Sequence, residues 1–495
     1  MIALQYASFV VLAFVADVLG RDSSSYWLLS QGIEALGGSR NLEAVLDVTY
    51  SGDGHFRSRS MSQTFGLNGL DRILAGAGRQ DVSFSFHGAN FLWARPNLEP
   101  VNFSLVVQDG GDGFAATVEG SDLLLAPSAP PPGYKDVYDK TLDISVLLEE
   151  DTKLPYLIRS YENHSFFGPS TNDLFLNDYV TVKGVKFPRR FQTIYNRKHL
   201  LTEYSVAKVL VNPGIPSTRF DGPPGRFLEA HVPRRDRLYG FAEIGENNAY
   251  YRWAGQYTGT FANLNASQPW KDLPGVWLLT VTDAPSYRQL ILELGNNVVV
   301  LDAPPHQSLL VLRWVREMLN KTVTHVWPTH HHHDHAYGTA DYVAAGASVI
   351  ALDKAVDYYS TIPKERFIIY STNRPYTLGD DTIQATLVHM GDSVHAADHS
   401  YAHISPRCAT TNSTTLIFDA DNVNTANITT SEQGALLAAL DKFAADKVAP
   451  SATFVAVHGN WIPFAQVINV TGYRYPGTRA QDFKYLRPKC LDPIP

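Results

Sequence analysis

The sequence predicts an α/β domain preceded by a β-rich one, and three observations carry that prediction. Strand-like runs recur from Val45 to Val211 with turn residues between them. From Val276 onward, strands alternate with helical stretches. Between the two regions, Pro213-Gly214-Ile215-Pro216 and Pro223-Pro224-Gly225 break the pattern, followed by Arg234-Arg235-Asp236-Arg237. Clusters of proline and glycine punctuate a chain in this way. At 495 residues the chain is also longer than a single core supports.

Met1 to Gly20 is an apolar run broken by Gln5, Tyr6, Ser8 and Asp17, and Arg21-Asp22-Ser23-Ser24-Ser25 then turns polar. It reads as a secretory signal peptide, residues 1–20, with Val18 and Gly20 as the small residues before the cut. An early Lys or Arg is missing and Asp17 is unusual, so an uncleaved anchor and a buried helix stay open as alternatives. No other run is long and apolar enough to span a bilayer. Seven Asn-x-Ser/Thr sequons, at Asn102, Asn163, Asn265, Asn320, Asn412, Asn427 and Asn469, agree with export as a secreted glycoprotein. The only cysteines, Cys408 and Cys490, can form one disulfide in an oxidising compartment. A net charge of -8 without a basic block argues against a nucleic-acid partner, which needs a cationic surface.

In the first region, Tyr26-Trp27-Leu28-Leu29, Ile33 and Leu36 lie at helical spacing before Gly37-Gly38, which predicts a short helix with a glycine stop. Strands are expected at 82–86, 103–107, 157–161, 179–182, 187–195 and 201–211, with turns such as Lys183-Gly184 between them. A helical patch is expected near 137–149. His87 and His164 stand alone, and no clustered acid, base or metal set appears here. The expected role is packing or substrate gating; a curved sheet that binds an apolar ligand is the alternative.

The second region reads as paired strands feeding helices. Val276-Trp277-Leu278-Leu279 is a strand, and Leu290–Leu294 and Val298–Leu301 flank Gly295-Asn296-Asn297 as a hairpin. A helix from about Ser308 to Leu319 carries Leu312, Val315 and Leu319 on one stripe. Thr324–Trp327 is the next strand. A short helix after Gly338 leads to the strand at Ser348-Val349-Ile350-Ala351. Ile383–Val388 follows as a strand, and Tyr401–Ile404 pairs with Thr414–Phe418. Thr430 with Gln433 opens a helix that turns Leu436, Leu440 and Phe443 inward. Phe454–Val457 is the last strand.

The chemistry sits after the Thr324–Trp327 strand. His330-x-His332-x-Asp334-His335 places four metal-binding side chains in six residues. Neutral imidazoles and carboxylates ligate zinc and similar divalent ions well. On one tight loop, His330 and His332 would face a first ion, and Asp334 and His335 a second. A loosely metal-binding histidine tract is the bland alternative.

Set between a strand and a helix, with Val300-Leu301-Asp302 upstream and Gly338 downstream, this motif resembles the signature of the metallo-β-lactamase-fold hydrolases over roughly residues 270 to 480. The resemblance implies an αββα sandwich behind the β-rich N-terminal domain. It divides the chain into a signal peptide (1–20), a β-rich domain (21–235), a linker or seam (236–269), a catalytic domain (270–480) and a C-terminal tail (481–495). The stretch from Asp151-Thr152-Lys153-Leu154-Pro155 to Gly184-Val185-Lys186-Phe187-Pro188 is similar, more weakly, to the β-rich part ahead of some such proteins.

The remaining ligands are sought at strand ends. His395 lies on a connecting loop and matches the family's third histidine, with His389, His399 and His403 competing. Asp421, at the end of Leu416-Ile417-Phe418-Asp419-Ala420-Asp421, matches a bridging carboxylate, with Asp419 as rival. His458, before Gly459, matches the last ligand. In the resembling family an Asp at the position of Asp302 supports the ligands from behind.

The implied set is therefore His330, His332 and His395 for one ion and Asp334, His335 and His458 for the other, with Asp421 between. The cofactors expected are two divalent ions, zinc first. The function implied is a secreted metallo-hydrolase of a small-molecule ester, lactone, thioester or amide, with Asp334 orienting the water and Tyr337 weighed as a proton donor. A β-lactamase and a non-catalytic metal-binding protein of the same fold are the alternatives. A membrane enters only if the leader is uncleaved.

Overall fold

The computed structural model describes residues 23–58, 74–86, 90–95, 102–108, 113–119, 124–125, 145–164, 166–197, 199–220, 228–229, 261–282, 284–304, 307–391, 393, 395–423, 425 and 433–487. These residues fall into two compact units, which separate between Glu229 and Phe261.

The first unit opens with helices α1 (Ser23–Leu36) and α2 (Ser39–Glu43). Gly37 ends α1 at φ +130°, where a Cβ would lie 2.2 Å from the Gly184 carbonyl oxygen; only glycine fits such a close backbone approach. Its strands are β1 (Asp47–Ser58), β2 (Leu74–Ser85), β3 (Asn90–Arg95), β4 (Asn102–Gln108), β5 (Gly113–Glu119), β6 (Leu124–Leu125) and β7 (Ser145–Leu148). They continue as β8 (Pro155–His164), β9 (Gly168–Val182), β10 (Val185–Tyr195), β11 (His199–Ser205), β12 (Lys208–Val211) and β13 (Leu228–Glu229). All pair antiparallel in one sheet whose main path runs β13-β5-β4-β3-β2-β1-β11-β10-β9-β8-β7. Alternate residues share one face of a strand. Val48, Tyr50, Val82, Phe84, Ile158, Leu174, Leu176, Phe187 and Phe191 thereby form one core, with Tyr50 edge-on to Phe84 and Phe191. Lys183 and Gly184, both at positive φ, make the tight β9–β10 turn.

The helical patch expected near 137–149 is a strand over its described part. Ser145–Leu148 is β7 and pairs with β8 through Val146↔Ile158. Val146 packs against the core, so ladder bonds and burial override a weak local helical pattern. Residues 137–144 lie outside the described residues.

The second unit has two sheets. One, ordered β14-β15-β16-β17-β18-β19-β20, comprises β14 (Leu264–Ser267), β15 (Val276–Val281), β16 (Ala284–Leu294), β17 (Asn297–Leu301), β18 (His325–Trp327), β19 (Ser348–Leu352) and β20 (Phe367–Tyr370). It is antiparallel as far as β17 and parallel from β17 to β20. The other, ordered β21-β22-β23-β24-β25-β26, comprises β21 (Tyr376–Gly379), β22 (Ile383–His389), β23 (Ser400–Pro406), β24 (Leu416–Asp419), β25 (Thr453–Ala456) and β26 (Trp461–Pro463), with β24 and β25 parallel. Leu290, Leu292, Val299, Leu301 and Trp327 of the first sheet share a core with Leu387, Ala402, Ile404, Phe418 and Val455 of the second, so the sheets pack face to face.

Helices cover the outer faces. α3 (Ser308–Met318) sets Trp314 against Trp277 of β15. α4 (His333–Ala336) and α5 (Thr339–Ala344) follow β18. On the second sheet, α6 (Gln433–Ala445) and α7 (Phe464–Thr471) bury Leu436, Leu440, Phe443, Phe464 and Val467 against Tyr401, Ile417 and Phe454. The layers are therefore helix, sheet, sheet, helix.

Both ends of this unit differ from the expected boundaries. β14 lies inside the expected seam 236–269 and extends the first sheet. In the expected tail, Phe483 and Leu486 are buried, and Tyr485 donates to Asp446. Cys490 lies outside the described residues, among which no cysteine is free. No helix among the described residues is long and apolar enough to cross a membrane.

Phe483 stacks on His403 with ring centroids 3.7 Å apart. His403 is buried, its Nε2 has no hydrogen-bond partner among the described residues, and burial pushes its pKa down to about 3. Below the ordinary histidine range the unfolded chain takes up a proton that the folded chain refuses. This contribution is complete above about pH 6.5 and is lost as pH falls toward 3, at up to about 1.4 kcal/mol per pH unit. Denaturant titrations of metal-free protein between about pH 7.5 and 5 are expected to show a shallower acid loss for His403→Phe than for the wild type. Equal slopes would contradict this.

Candidate metal centre

Every candidate ligand lies beyond the C-terminal end of a strand, on the loop or short helix that follows it, at one edge of the sandwich. The loop after β18 carries His330 to His332 and the short helix α4 that follows carries Asp334 and His335, the loop after β22 carries His395, and β24 and β25 are followed by Asp421 and His458. Parallel strand ends of this kind converge on one crevice.

The structure brings the seven residues together as two groups that share Asp421: His330, His332, His395 and Asp421, and Asp334, His335, Asp421 and His458. In the first group, His395 Nε2 lies 3.1 Å from His330 Nε2 and 3.0 Å from His332 Nδ1. Asp421 Oδ2 is 3.0 Å from His395 Nε2 and 3.4 Å from His330 Nε2. In the second, His335 Nε2 lies 3.3 Å from His458 Nε2, 3.0 Å from Asp421 Oδ2 and 3.4 Å from Asp334 Oδ2. Asp421 Oδ1 is 3.3 Å from His458 Nε2.

These spacings test whether metal fits. Ligands about 2.0–2.1 Å from a tetrahedral ion stand roughly 3.3 Å from one another. Imidazole nitrogens turned toward each other at 3.0–3.3 Å match that edge, and a cation between them would satisfy all their lone pairs at once. The donor set fits two divalent ions, with a carboxylate between.

The protein fixes this arrangement from behind. Asp302, fully buried and at φ +65°, accepts from the Thr329 backbone N–H at 2.7 Å and from His335 Nδ1 at 2.8 Å. This bond fixes a proton on Nδ1 and turns Nε2 to the cluster, where a cation would take the place of a second proton. Gln289 Nε2 holds the Asp302 carbonyl. Burial would lower His335, but Asp421, Asp334 and Asp302 raise it well above the usual histidine range. Burial and neighbouring imidazoles push His330 and His332 well below it, which keeps them neutral. Burial would raise Asp334 and Asp421, but the surrounding histidines hold both well below the carboxylate range.

The alternate histidines of the loop face elsewhere. His331 Nδ1 pairs with Asp398 at 2.7 Å, and His333 Nε2 meets the Tyr358 hydroxyl at 3.0 Å. The rivals to His395 also lie outside both groups. His389 bonds Thr372 and the Ala397 carbonyl, His399 is buried 3.6 Å from Asp419, and His403 stacks on Phe483. Asp419 accepts from Asn422 twice, and burial raises it to about 7.

The layered architecture and the strand-end cluster together decide the fold. The second unit is a metallo-β-lactamase-type αββα sandwich. No family model matches the chain, and no curated protein does. Among solved structures it is similar to a metallo-β-lactamase from Pontibacter korlensis at 16% identity and TM-score 0.30, covering 42% of this chain and 97% of that one. It is similar to a metallo-β-lactamase from Hirschia baltica at 14% identity and TM-score 0.30, covering 42% and 96%. A flavo di-iron protein mutant from Thermotoga maritima is 12% identical with TM-score 0.30, covering 42% and 60%. Likenesses this distant say nothing of activity, and the fold stands on the chain's own topology.

Two parts of the site were not legible in advance. Tyr337, weighed as a proton donor, packs its ring against His333. The phenol that meets the cluster is Tyr287 of β16, edge-on to His458 with ring centroids 5.2 Å apart. The site's open side is set by exposure. Side chains of His395 and His458 are 28% and 24% accessible, whereas those of His330 and His335 are closed off.

Proposed function

We propose that this chain is an exported metal-dependent hydrolase that directs water at an ester, lactone, thioester or amide. The observation that supports this most is the convergence of seven ligand-type side chains on two adjacent positions that share one carboxylate oxygen, Asp421 Oδ2. Two divalent ions, zinc first, would be held there by His330, His332 and His395 and by Asp334, His335 and His458, and would lower the pKa of a water toward neutrality. Asp334 is the chain's own means of orienting that water, as an acceptor held ionised by its histidine neighbours. The half-open His395 and His458 mark the side from which a small-molecule substrate approaches.

Four sequon asparagines support export. Asn265, Asn320, Asn412 and Asn469 are all exposed, as N-glycosylation requires. Asn102 and Asn163 lie on β4 and β8, and Asn427 falls outside the described residues. A Cys408–Cys490 disulfide belongs to the same proposal.

Chelation tests the reading. Protein stripped of metal is expected to lose at least about 10-fold of its turnover on a chromogenic panel of esters, lactones and thioesters, and to regain it with zinc. Turnover indifferent to chelation would contradict it. A penicillin cleaved faster than every ester would move the assignment to a β-lactamase.

A further inference from the structure

We infer that Tyr287 is a substrate-contacting residue, whose hydroxyl donates a hydrogen bond to the oxygen that gains charge during hydrolysis. This rests on the hydrolase reading above. Three observations carry it. Tyr287 lies on β16 and places its ring edge-on to His458, one of the two half-open ligands, so it borders the accessible side of the cluster. Its ring packs against the inter-sheet core, which holds the phenol in one place. Its hydroxyl makes no hydrogen bond to any of the described residues, so the donor is available.

A phenol ordinarily titrates at about 10, so this hydroxyl is a donor at neutral pH.

The step balances without a further reagent. The water oxygen bonds to the carbonyl carbon, and the carbonyl π pair moves onto its oxygen. Tyr287 shares its hydrogen with that oxygen and keeps it. Collapse returns the pair and breaks the bond to the leaving group, which takes up the proton that the water gave up on attack. Such a donor is worth most where charge develops, in a site that excludes water.

Tyr287→Phe tests this because it keeps the ring against His458 and removes only the donor. Zinc-loaded wild type and Y287F are compared in two assays. On the ester panel, kcat is expected to fall roughly 10²-fold with KM little changed. By calorimetry, phenylphosphonate, a tetrahedral anion, is expected to bind Y287F about 10-fold more weakly than wild type, with zinc content equal. Equal phosphonate affinity would overturn the inference, as would no phosphonate binding by wild type. Loss of zinc in Y287F would overturn it too, since Tyr287 would then act through His458. If wild type bound phosphonate but hydrolysed nothing on the panel, the hydrolase reading would fail, and the Tyr287 contact would be judged on the affinity ratio alone.

Discussion

Asp421→Ala is expected to lower turnover by roughly 10³-fold or more, the loss of several kcal/mol of charge stabilisation, and to reduce metal content at both positions together. The reason is geometric. Asp421 Oδ2 lies 3.0 Å from His395 Nε2 in one group and 3.0 Å from His335 Nε2 in the other, so one carboxylate serves both. Without it, buried imidazoles of two groups face each other with no anion between them. His330→Ala should spare the second group and lose metal chiefly from the first, because His330 belongs to that group alone. Metal content and kcat on the same preparations check both variants. An Asp421→Ala protein that keeps two ions and normal turnover would contradict the shared role.

Asp302→Ala is expected to weaken metal binding roughly 10- to 100-fold and to cost about 3 kcal/mol or more of stability, though Asp302 touches no metal position. It would orphan the Thr329 backbone N–H and His335 Nδ1, both buried. Asp302→Asn separates the two effects. Its amide oxygen can still accept from Thr329, but its NH2 would face the His335 Nδ1 proton. His335 would then answer with the other tautomer and turn a proton toward the metal. Metal affinity should fall in both variants, and stability mainly in Asp302→Ala. Denaturant titrations of metal-free protein and zinc titrations of folded protein check this, and unchanged metal affinity in both variants would contradict it.

These effects show what could be read from the sequence. The loop at His330–His335 was legible because four ligand types fall within six residues, straight after a β-branched and aromatic strand. His395, Asp421 and His458 were reachable because each follows a strand on the edge where that loop emerges. His395 and Asp421 were preferred to their rivals for their places on the loops, and both join the cluster. Asp419 ends β24 and is occupied by Asn422, a contact set by the local turn, whereas Asp421 lies two residues further on and reaches the cluster.

Contacts between distant segments left no local signal. Tyr287 meets His458 because β16 and the end of β25 lie on facing sheets, and His331 finds Asp398 across the site. The strand at Ser145–Leu148 was misread as helix because four residues carry little periodicity, and pairing with β8 decided their conformation. Past the expected domain end, Phe483 stacks on His403 and Tyr485 donates to Asp446, both far back in the chain.

The most direct test of the metal centre is a zinc titration of chelator-stripped protein followed by calorimetry. The geometry predicts two saturable equivalents per chain, falling to one in His330→Ala. No saturable binding, or binding that survives replacement of Asp421 and His335 together, would contradict it.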